Sequence, residues 1–219
     1  MRRKLAAGGI ATLPISRHQL YFHSDVPYTS HNSAMCTEMD VAREDLPAVI
    51  GLAAGHLADT RVEGADPGLC VACTEDIPRA AALIAFGRRA KSELLTKEEA
   101  CQLAAAQRIH LSEHGGTGDG VIGALAGLAL RLYGFDGRIK GKVEAGADGE
   151  RMTASELLEK TGYADIMAIN GAVVHGADII TLTEGSVKAV RMHWRSTILV
   201  APSGGGTWAT LTKDMLKVY

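Results

Sequence analysis

The stretch HLSEHGGTGDGVIGALAGLALRLY, residues 110–133, joins a glycine-rich run to a helical pattern of small and apolar side chains. Four apolar residues recur after the glycines at helical spacing and predict one buried stripe: Val121, Leu125, Leu128 and Leu132. A helix that begins directly after glycines offers free N–H groups and the positive end of its dipole to an anion. The sequence therefore predicts a helix that starts at Gly120 and an anion-binding turn before it.

Five residues of this run are the ones that we expect to bind a ligand: Gly115, Gly116, Thr117, Gly118 and Gly120. Asp119 is the carboxylate within the run, where it orients a magnesium ion or caps the helix. The run lacks the Lys-Ser/Thr pair of a P-loop. A helical pattern rather than a strand precedes it, so it also differs from the dinucleotide-binding fingerprint. A plain turn between two helices is the alternative.

The composition is that of a soluble globular protein. The 219 residues are 47% hydrophobic and carry a formal net charge of −2, which excludes a uniformly basic surface. No window approaches the roughly 18 apolar residues of a membrane span. The basic start MRRKLAAGG lacks the apolar region of a signal peptide. We therefore expect a cytoplasmic protein.

The four cysteines include a C-x-x-C pair, Cys70 and Cys73, with the spacing of half a zinc site or of a redox dithiol. The pair lies in an apolar, strand-like run, where residues three apart point to opposite faces of the strand. This context favours reduced structural thiols, with a metal site and redox chemistry as the alternatives. We assign no metal ligands.

The hydrophobic periodicity predicts an α/β (α+β) protein with mixed sheets and flanking helices over residues 1–147, followed by a smaller strand-rich subdomain over 148–219. Helices are expected over 45–58, 77–89 and 96–108, the last with a Thr96–Glu99 capping box. The apolar run LCVAC follows the first of these helices, and we expect it to be a parallel strand reached by a right-handed crossover.

A second loop, DVPYTSHN, is rich in hydrogen-bonding side chains. Tyr28, Thr29 and Asn32 are ligand-binding candidates there, and His31 is a candidate acid or base. His110 and His114 are four residues apart, so they share one side of a helix if the helix of 96–108 continues that far. At that spacing both are candidate metal ligands beside Glu113. The alternatives are that His114 is a catalytic acid or base near the glycines, or that both are simple loop histidines.

The C-terminal part carries more positive charge than the rest. Residues 187–219 contain five basic residues against one acid, a local charge of +4. In the predicted strand KAVRMHWR, apolar residues alternate with Arg191, His193 and Arg195 and predict a cationic face, which is a candidate RNA contact. A solvated strand face is the alternative.

A capping box, Thr153 with Glu156, and a terminating Gly162 predict a short helix.

Three stretches resemble, in the same order, those of the archaeal tRNA 2-agmatinylcytidine synthetase family over residues 10–130. The family segment Asn-Pro-x-x-Pro-Tyr/Trp-Lys-Thr-Arg-Gly-Asn is matched by HSDVPYTSHN, residues 23–32. The family's Asn-Pro-Gly turn before a strand is matched by Asp66-Pro67-Gly68. Its glycine-rich loop, which enters Leu-Ile-Gly-Ala-Leu-Ala, is matched by GDGVIGALA, residues 118–126.

The resemblance implies an ATP- and Mg²⁺-dependent enzyme that phosphorylates the wobble cytidine of an isoleucine tRNA, after which agmatine displaces the phosphate. It also implies ferredoxin-like elements that help to form the amine site. Two differences bear on activity. Thr29 and His31 stand where the family has Lys and Arg. The family's Gly-Ile-Asp-Asp-Thr-Asp motif, RNA-binding module and zinc ribbon are missing from the sequence.

The sequence thus predicts a protein that binds a nucleotide or another phosphorylated ligand between the VPYTSHN loop and the glycine run. As an enzyme it would be a ligase or transferase acting on tRNA or a small amine, with His31, His114 and Asp119 as the catalytic residues. The alternative is a noncatalytic binding or regulatory module, or a half-enzyme completed by a partner chain. A homo-oligomer is a further expectation.

Overall fold

The computed structural model describes residues 9–26, 31–77 and 80–219, and it contains mixed α and β structure as predicted. Two compact units divide between Tyr133 and Gly134, whereas the sequence predicts a boundary after residue 147. The segment after Tyr133 belongs to the second unit because its short strands pair there, through Arg138 with Val190 and through Val143 with Val187. The change of composition near residue 147 marks a turn instead.

The first unit contains an antiparallel hairpin of β1 (Ser16–Gln19) and β2 (Ser33–Cys36), and an antiparallel ribbon of β3 (Gly68–Val71) and β4 (His110–Glu113). Its helices are α1 (Leu46–Thr60), α2 (Ala80–Arg89), α3 (Lys97–Ala106) and α4 (Gly120–Tyr133). Short 3-10 helices cover Arg43–Asp45 and Thr74–Asp76. The predicted helices are therefore present, with ends shifted by a few residues.

Helix α4 is the centre of the first core. Leu125, Ala126, Ala129 and Leu130 are fully buried, and they pack with side chains of α2, α3 and the hairpin. Its small residues let neighbouring elements approach closely: a methyl group added at Gly127 would lie 2.6 Å from the Cβ of Ala34 in β2. The predicted small-residue helix is thus confirmed, and its small side chains serve packing.

Two predictions around the glycine run are wrong. A strand, β4, precedes the run instead of a continuing helix, because α3 ends at Ala106 and Arg108 turns the chain with φ 56. The second error concerns β3, which pairs antiparallel with β4 and so forms no parallel strand-helix-strand crossover. The pairing lets the half-buried Leu111 pack against the first core, while His110 and Ser112 lie on the opposite face of the strand.

The second unit is strand-rich, as predicted. Its main strands are β5 (Arg138–Ile139), β7 (Arg151–Thr153), β8 (Asp165–Ala168), β9 (Ile179–Thr181), β11 (Val190–Met192), β12 (Arg195–Gly204) and β13 (Thr207–Thr210). Strand β12 is central: it pairs antiparallel with β11 and β13 and parallel with β8. A separate pair joins β6 (Val143–Glu144) to β10 (Ser186–Val187).

The single long helix of this unit, α5 (Ala154–Thr161), has the predicted ends. Thr153 and Glu156 form a reciprocal capping box, and Gly162 ends the helix in the left-handed conformation with φ 65. The bonds from the Thr153 N–H and hydroxyl hold the pKa of Glu156 below its usual range. A 3-10 helix, Met215–Val218, follows the last strand. Helix α5 packs through Leu157, which is fully buried.

The predicted cationic strand face is also wrong. Strand β11 ends at Met192, and His193 and Trp194 form a tight turn before β12 begins. Arg191 is only 4% exposed, and its Nη1 donates to the carbonyl oxygen of Trp194 at 3.1 Å. The alternation of basic and apolar residues therefore does not place Arg191, His193 and Arg195 on one solvent-facing side.

Among the helices of the described ranges, none combines the length and apolar character needed to cross a membrane.

Candidate functional site

The predicted ligand-binding residues of the glycine run lie in the loop of residues 114–119 and at Gly120, the first residue of α4, and a second loop, residues 61–67, faces them. The ribbon brings them together because Gly68 of β3 lies opposite Glu113 of β4. Two further bonds continue the ribbon into the loops: His114 N donates to Pro67 O at 3.0 Å, and Arg61 Nη1 donates to His114 O at 3.0 Å. We call these two segments the loop pair.

The amides of the glycine run bind an anion, and that anion is the carboxylate of Asp66. Its Oδ2 accepts from the backbone N–H of Thr117 at 3.2 Å and of Asp119 at 3.0 Å. Its Oδ1 accepts from Gly118 N at 3.1 Å, and the Thr117 hydroxyl donates to Oδ2 at 2.7 Å. The predicted anion-binding geometry is therefore present, with a side chain of the protein in the position assigned to a phosphate.

The glycines of the run are required by close contacts within the protein. An added Cβ would lie under 3.0 Å from Asp66 at Gly116, and under 3.0 Å from the Asp66 carbonyl at Gly120. At Gly118 it would meet the Glu113 carboxylate and the Lys97 ammonium. Gly116 and Gly118 also have positive φ, at 60 and 83. Their predicted role of letting a group approach the main chain holds for Asp66.

Two carboxylates converge on one hydroxyl at this site. The Oγ1 of Thr117 lies 2.7 Å from Asp66 Oδ2 and 2.9 Å from Asp119 Oδ2. A hydroxyl has a single proton, so it donates to one of these oxygens while its lone pairs face the other. Asp119 and Thr117 are exposed, so solvent or a dissolved ion reaches the Asp119 oxygen. This arrangement adds negative charge at the entrance to α4.

Lys97 supplies the positive charge nearest to the run. Its Nζ lies 2.6 Å from Glu113 Oε1 and donates to the carbonyl of Thr117 at 3.3 Å. The hydrogen bond to Glu113 raises the pKa of Lys97, and the charge of Asp119 adds to that effect. Lys97 was not among the residues predicted for the site. Its position as the first residue of α3 was visible in the sequence, but its approach to Thr117 depends on the packing of α3.

His110, Ser112 and His114 form a hydrogen-bonded row along β4. The Oγ of Ser112 lies 3.0 Å from His110 Nε2 and 2.9 Å from His114 Nε2, and all three side chains are half-buried. The row arises because alternate residues of a strand share a face. The two histidines are thus neighbours, as predicted, but for a strand rather than a helix. Because the hydroxyl has one proton, it accepts from one imidazole while it donates to the other.

The predicted residues of the second loop are only partly described. Tyr28 and Thr29 lie outside the described residues. His31 is exposed just before β2. The side chain of Asn32 stabilises the hairpin backbone, because its Nδ2 donates to Tyr21 O at 2.8 Å. Leu20, beside Asn32, packs near Gly123. This end of the hairpin is therefore about one helical turn from the first residue of α4.

The surface beside the loop pair forms an open depression of about 370 Å³, lined by Arg61, Val62, Glu63, Gly64, Ala65 and Gly116. Its volume is at the lower end for small-ligand sites. Within the described part of the chain, no three side chains of His, Cys, Asp or Glu are grouped to hold a metal ion.

A buried polar network in the first unit was not predicted. Ser16 and His18 of β1 are fully buried, and Ser16 Oγ lies 2.8 Å from His18 Nε2. Arg131, only 3% exposed, donates to Ser16 Oγ at 3.0 Å and to Pro14 O at 2.9 Å, and it pairs with Glu38 at 2.6 Å. The signal available in the sequence was a basic residue on the apolar side of α4. These bonds satisfy a buried cation and fix α4 against the hairpin.

No disulfide joins any of the four cysteines, all of which lie in the described residues. Cys70 packs against the first core, and burial, with a contribution from Cys36, raises its pKa. Cys73 lies after the strand, where Arg43 Nη2 approaches its sulfur at 3.6 Å. The two thiols of the C-x-x-C pair thus have different surroundings, which agrees with the preferred structural interpretation.

The comparisons with known proteins add no family to these observations. No protein-family model matches the sequence, and no curated protein matches it significantly.

Proposed function

We propose that the protein binds a phosphorylated small ligand, such as a nucleotide, together with a divalent cation at the loop pair. The observation that supports this is the contact of two carboxylates, Asp66 and Asp119, with the single hydroxyl of Thr117. Only one of the two contacts has a proton to share. A cation near the carboxylates would remove the remaining repulsion between oxygen lone pairs.

Magnesium fits this donor set. It prefers oxygen ligands and is typically held by one or two carboxylates together with the phosphate oxygens of a substrate. Asp119 would supply the exposed carboxylate, and Asp66, fixed by three amides, would supply the second. The bound ion would neutralise phosphate charge, which is the chemistry that it contributes in phosphoryl-transfer sites.

Two cations of the chain would complement the remaining phosphate charge. Lys97 lies beside the carbonyl of Thr117, and Arg61 lies beside the carbonyl of His114. Lys97 lies on α3, outside the loop pair, and Arg61 is the first residue of the pair. Because Glu113 raises the pKa of Lys97, this ammonium stays charged at neutral pH. The ligand would thus be held by side chains, with the amides of the run left to Asp66.

If the site is catalytic, His114 is our candidate for the group that exchanges a proton. Its imidazole lies on the same strand end as the loop pair and is held by Ser112, which in turn contacts His110. A hydrogen bond of this kind fixes the orientation of the histidine ring. The reaction would then be a phosphoryl or amine transfer that depends on positioning and charge stabilisation.

A second candidate function is a noncatalytic binding module, and a specific observation favours it. The amides that would cradle a phosphate already receive the carboxylate of Asp66 in four hydrogen bonds that include the Thr117 hydroxyl. An external anion would have to replace a charged, well-bonded side chain. In this case the loop pair is a structural clamp that fixes the start of α4.

Thermal denaturation of the whole chain with MgCl₂, ATP, or both separates the two candidates. Binding raises the melting temperature, and a ligand at about 100 times its Kd stabilises by about 2.7 kcal/mol. The proposed site requires a larger increase with both components than with either alone. Asp119→Asn should abolish that increase, whereas Glu44→Gln, an exposed carboxylate in the 3-10 helix outside the loop pair, should retain it. Equal melting temperatures with and without MgCl₂ and ATP, or an unchanged increase in Asp119→Asn, would contradict the proposal and favour the structural clamp.

A further inference from the structure

The turn between β11 and β12 in the second unit is built from unusual residues. His193 and Trp194 both have positive φ, at 48 and 61. Two-residue hairpin turns of this kind normally contain Asn-Gly, because bulky side chains are strained in the left-handed region. In the next hairpin of the same unit, the residues with positive φ are glycines: Gly204, Gly205 and Gly206, with φ 92, 58 and 73. Strained residues of this type are typical of ligand-binding sites.

The turn displays an aromatic surface. Phe135 packs edge-on against His193 at 4.7 Å and against Trp194 at 5.5 Å between ring centroids. One side of the indole lies over Gly134, where an added Cβ would come within 2.6 Å of the ring. Even so, Trp194 is 57% exposed. The ring is therefore fixed from beneath by Gly134 and Phe135, and much of its surface faces solvent.

The surroundings of this turn are cationic. The segments 134–140 and 188–195, joined by the pairing of Arg138 with Val190, contain five basic residues and one acid. The acid, Asp136, is 5% exposed and Arg191 is 4% exposed, so one charge of each sign is buried and the exposed charge is positive. Arg195 directly follows Trp194 and is exposed, as is Lys140. An anionic ligand is therefore favoured over a neutral or cationic one at the aromatic surface.

We propose that His193 and Trp194 form a stacking site for an unpaired nucleobase whose phosphate is met by Arg195. A fixed, exposed aromatic ring beside cations is the arrangement that binds single-stranded nucleic acids and nucleotides with little sequence preference. The site differs from a cationic strand face because aromatic rings at a hairpin tip make the contact. It lies in the second unit and does not depend on the function proposed for the loop pair.

Tryptophan fluorescence tests the site directly. The chain has two tryptophans, and Trp208→Phe leaves Trp194 as the sole emitter. Stacking of adenine should quench this emission. Three probes are titrated into the Trp208→Phe protein: AMP, a ten-nucleotide oligoadenylate, and ribose 5-phosphate, which lacks a base. Quenching by AMP and by the oligonucleotide identifies a mononucleotide site, and quenching by the oligonucleotide alone identifies a single-strand site. Equal quenching by ribose 5-phosphate, or none with any probe, overturns the proposal.

A turn-preserving variant provides the second measurement. Replacement of His193 by Asn and Trp194 by Gly installs the residues that this turn favours, so the hairpin remains able to fold. Anisotropy of a fluorescein-labelled oligoadenylate should show binding weakened about fivefold or more, since stacking of a base on an aromatic ring contributes at least about that factor. Trp208→Phe, the matched control, should bind normally. Unchanged affinity in the Asn-Gly variant, with circular dichroism showing a folded chain, overturns the proposal.

Discussion

Two glycine-rich segments of this protein look alike in sequence and differ in structure. In the run of residues 115–120, the glycines face Asp66, Glu113 and Lys97, and an added Cβ at Gly116, Gly118 or Gly120 would lie under 3.0 Å from another group. In the turn of residues 204–206, an added Cβ would meet nothing within 4 Å at any glycine. The first segment needs glycine for space and the second needs it for backbone conformation alone.

The difference shows what a glycine run can and cannot indicate. In both segments φ is positive at several glycines, so conformation does not separate them. The two segments differ in the group that faces the glycines. In the first segment four hydrogen bonds are made to Asp66, whereas the second closes only a local hairpin between Ser203 and Thr207. A site hypothesis built on glycines therefore depends on which residue faces them.

The largest effect is expected from Gly120→Ala. Its Cβ would overlap the carbonyl of Asp66, which is backbone and cannot rotate away. Overpacking of this kind costs about 3 kcal/mol or more when the neighbour is fixed. Urea denaturation monitored by far-UV circular dichroism measures the loss. A change below about 1 kcal/mol would show that the loops separate easily and would remove the space requirement from the comparison.

The next largest effect is expected from Asp66→Ala. It leaves the N–H groups of Thr117, Gly118 and Asp119 without their carboxylate acceptor, at a cost of about 1–2 kcal/mol, because water replaces that acceptor at the exposed Thr117 and Asp119 amides. Asp66→Asn keeps an acceptor oxygen and should lose about half as much. Hydrogen exchange of the three amides, measured by NMR, should accelerate in the Ala variant.

Added phosphate sharpens the test of Asp66→Ala. If the amides still bind an anion, phosphate should slow their exchange again in this variant and leave the wild-type rates unchanged. Exchange rates that do not respond to the Ala substitution would show that Asp66 is not the anion of the run.

A smaller effect is expected from Gly205→Ala. The position has φ 58 and open space, so only the left-handed backbone is penalised, by about 1 kcal/mol. The same urea experiment measures it. A loss as large as that of Gly120→Ala would contradict the distinction between the two segments.

The smallest effect concerns a second carboxylate bonded at a helix N-terminus, Glu156. The bonds from Thr153 lower its pKa from 4.5, so its ionised form stabilises the fold above that pH and the contribution disappears as the pH falls through the lowered value. Glu156→Gln should therefore reduce the melting temperature slightly at pH 7 and have no effect at pH 2. Glu159→Gln, on the same helix, is the control. A reduction of equal size at both pH values would contradict the assignment.

The parts of the fold that depend on local sequence were predictable. Helix α4 follows from its periodic apolar residues, and the capping box of Thr153 with Glu156 follows from the spacing of two residues. Strand β4 was not predictable from HLSE, because its strand conformation arises from pairing with β3 some forty residues earlier. The burial of Arg191 depends in the same way on a turn that an alternating pattern does not reveal.

The candidate site was predictable in its residues and not in its contacts. The sequence marked Asp66-Pro67-Gly68 as a turn and the glycine run as an anion site. Nothing local indicates that the one faces the other across a separation of 51 to 53 residues. The row of His110, Ser112 and His114 was likewise predictable only in part. The spacing of the two histidines was interpreted as helical, but residues four apart also share one face of a strand.

The carboxylate of Asp66 and the amides that bind it belong to the same chain, so their association is intramolecular. Asp66 is synthesised some fifty residues before the amides that bind it, and the ribbon of β3 and β4 then holds it at a high effective concentration beside them. A free phosphate in the cell competes with that tethered carboxylate, and intramolecular attachment favours the side chain. An unaided anion is therefore a weak competitor, whereas an anion that arrives with a cation adds a favourable charge to the same pair of loops.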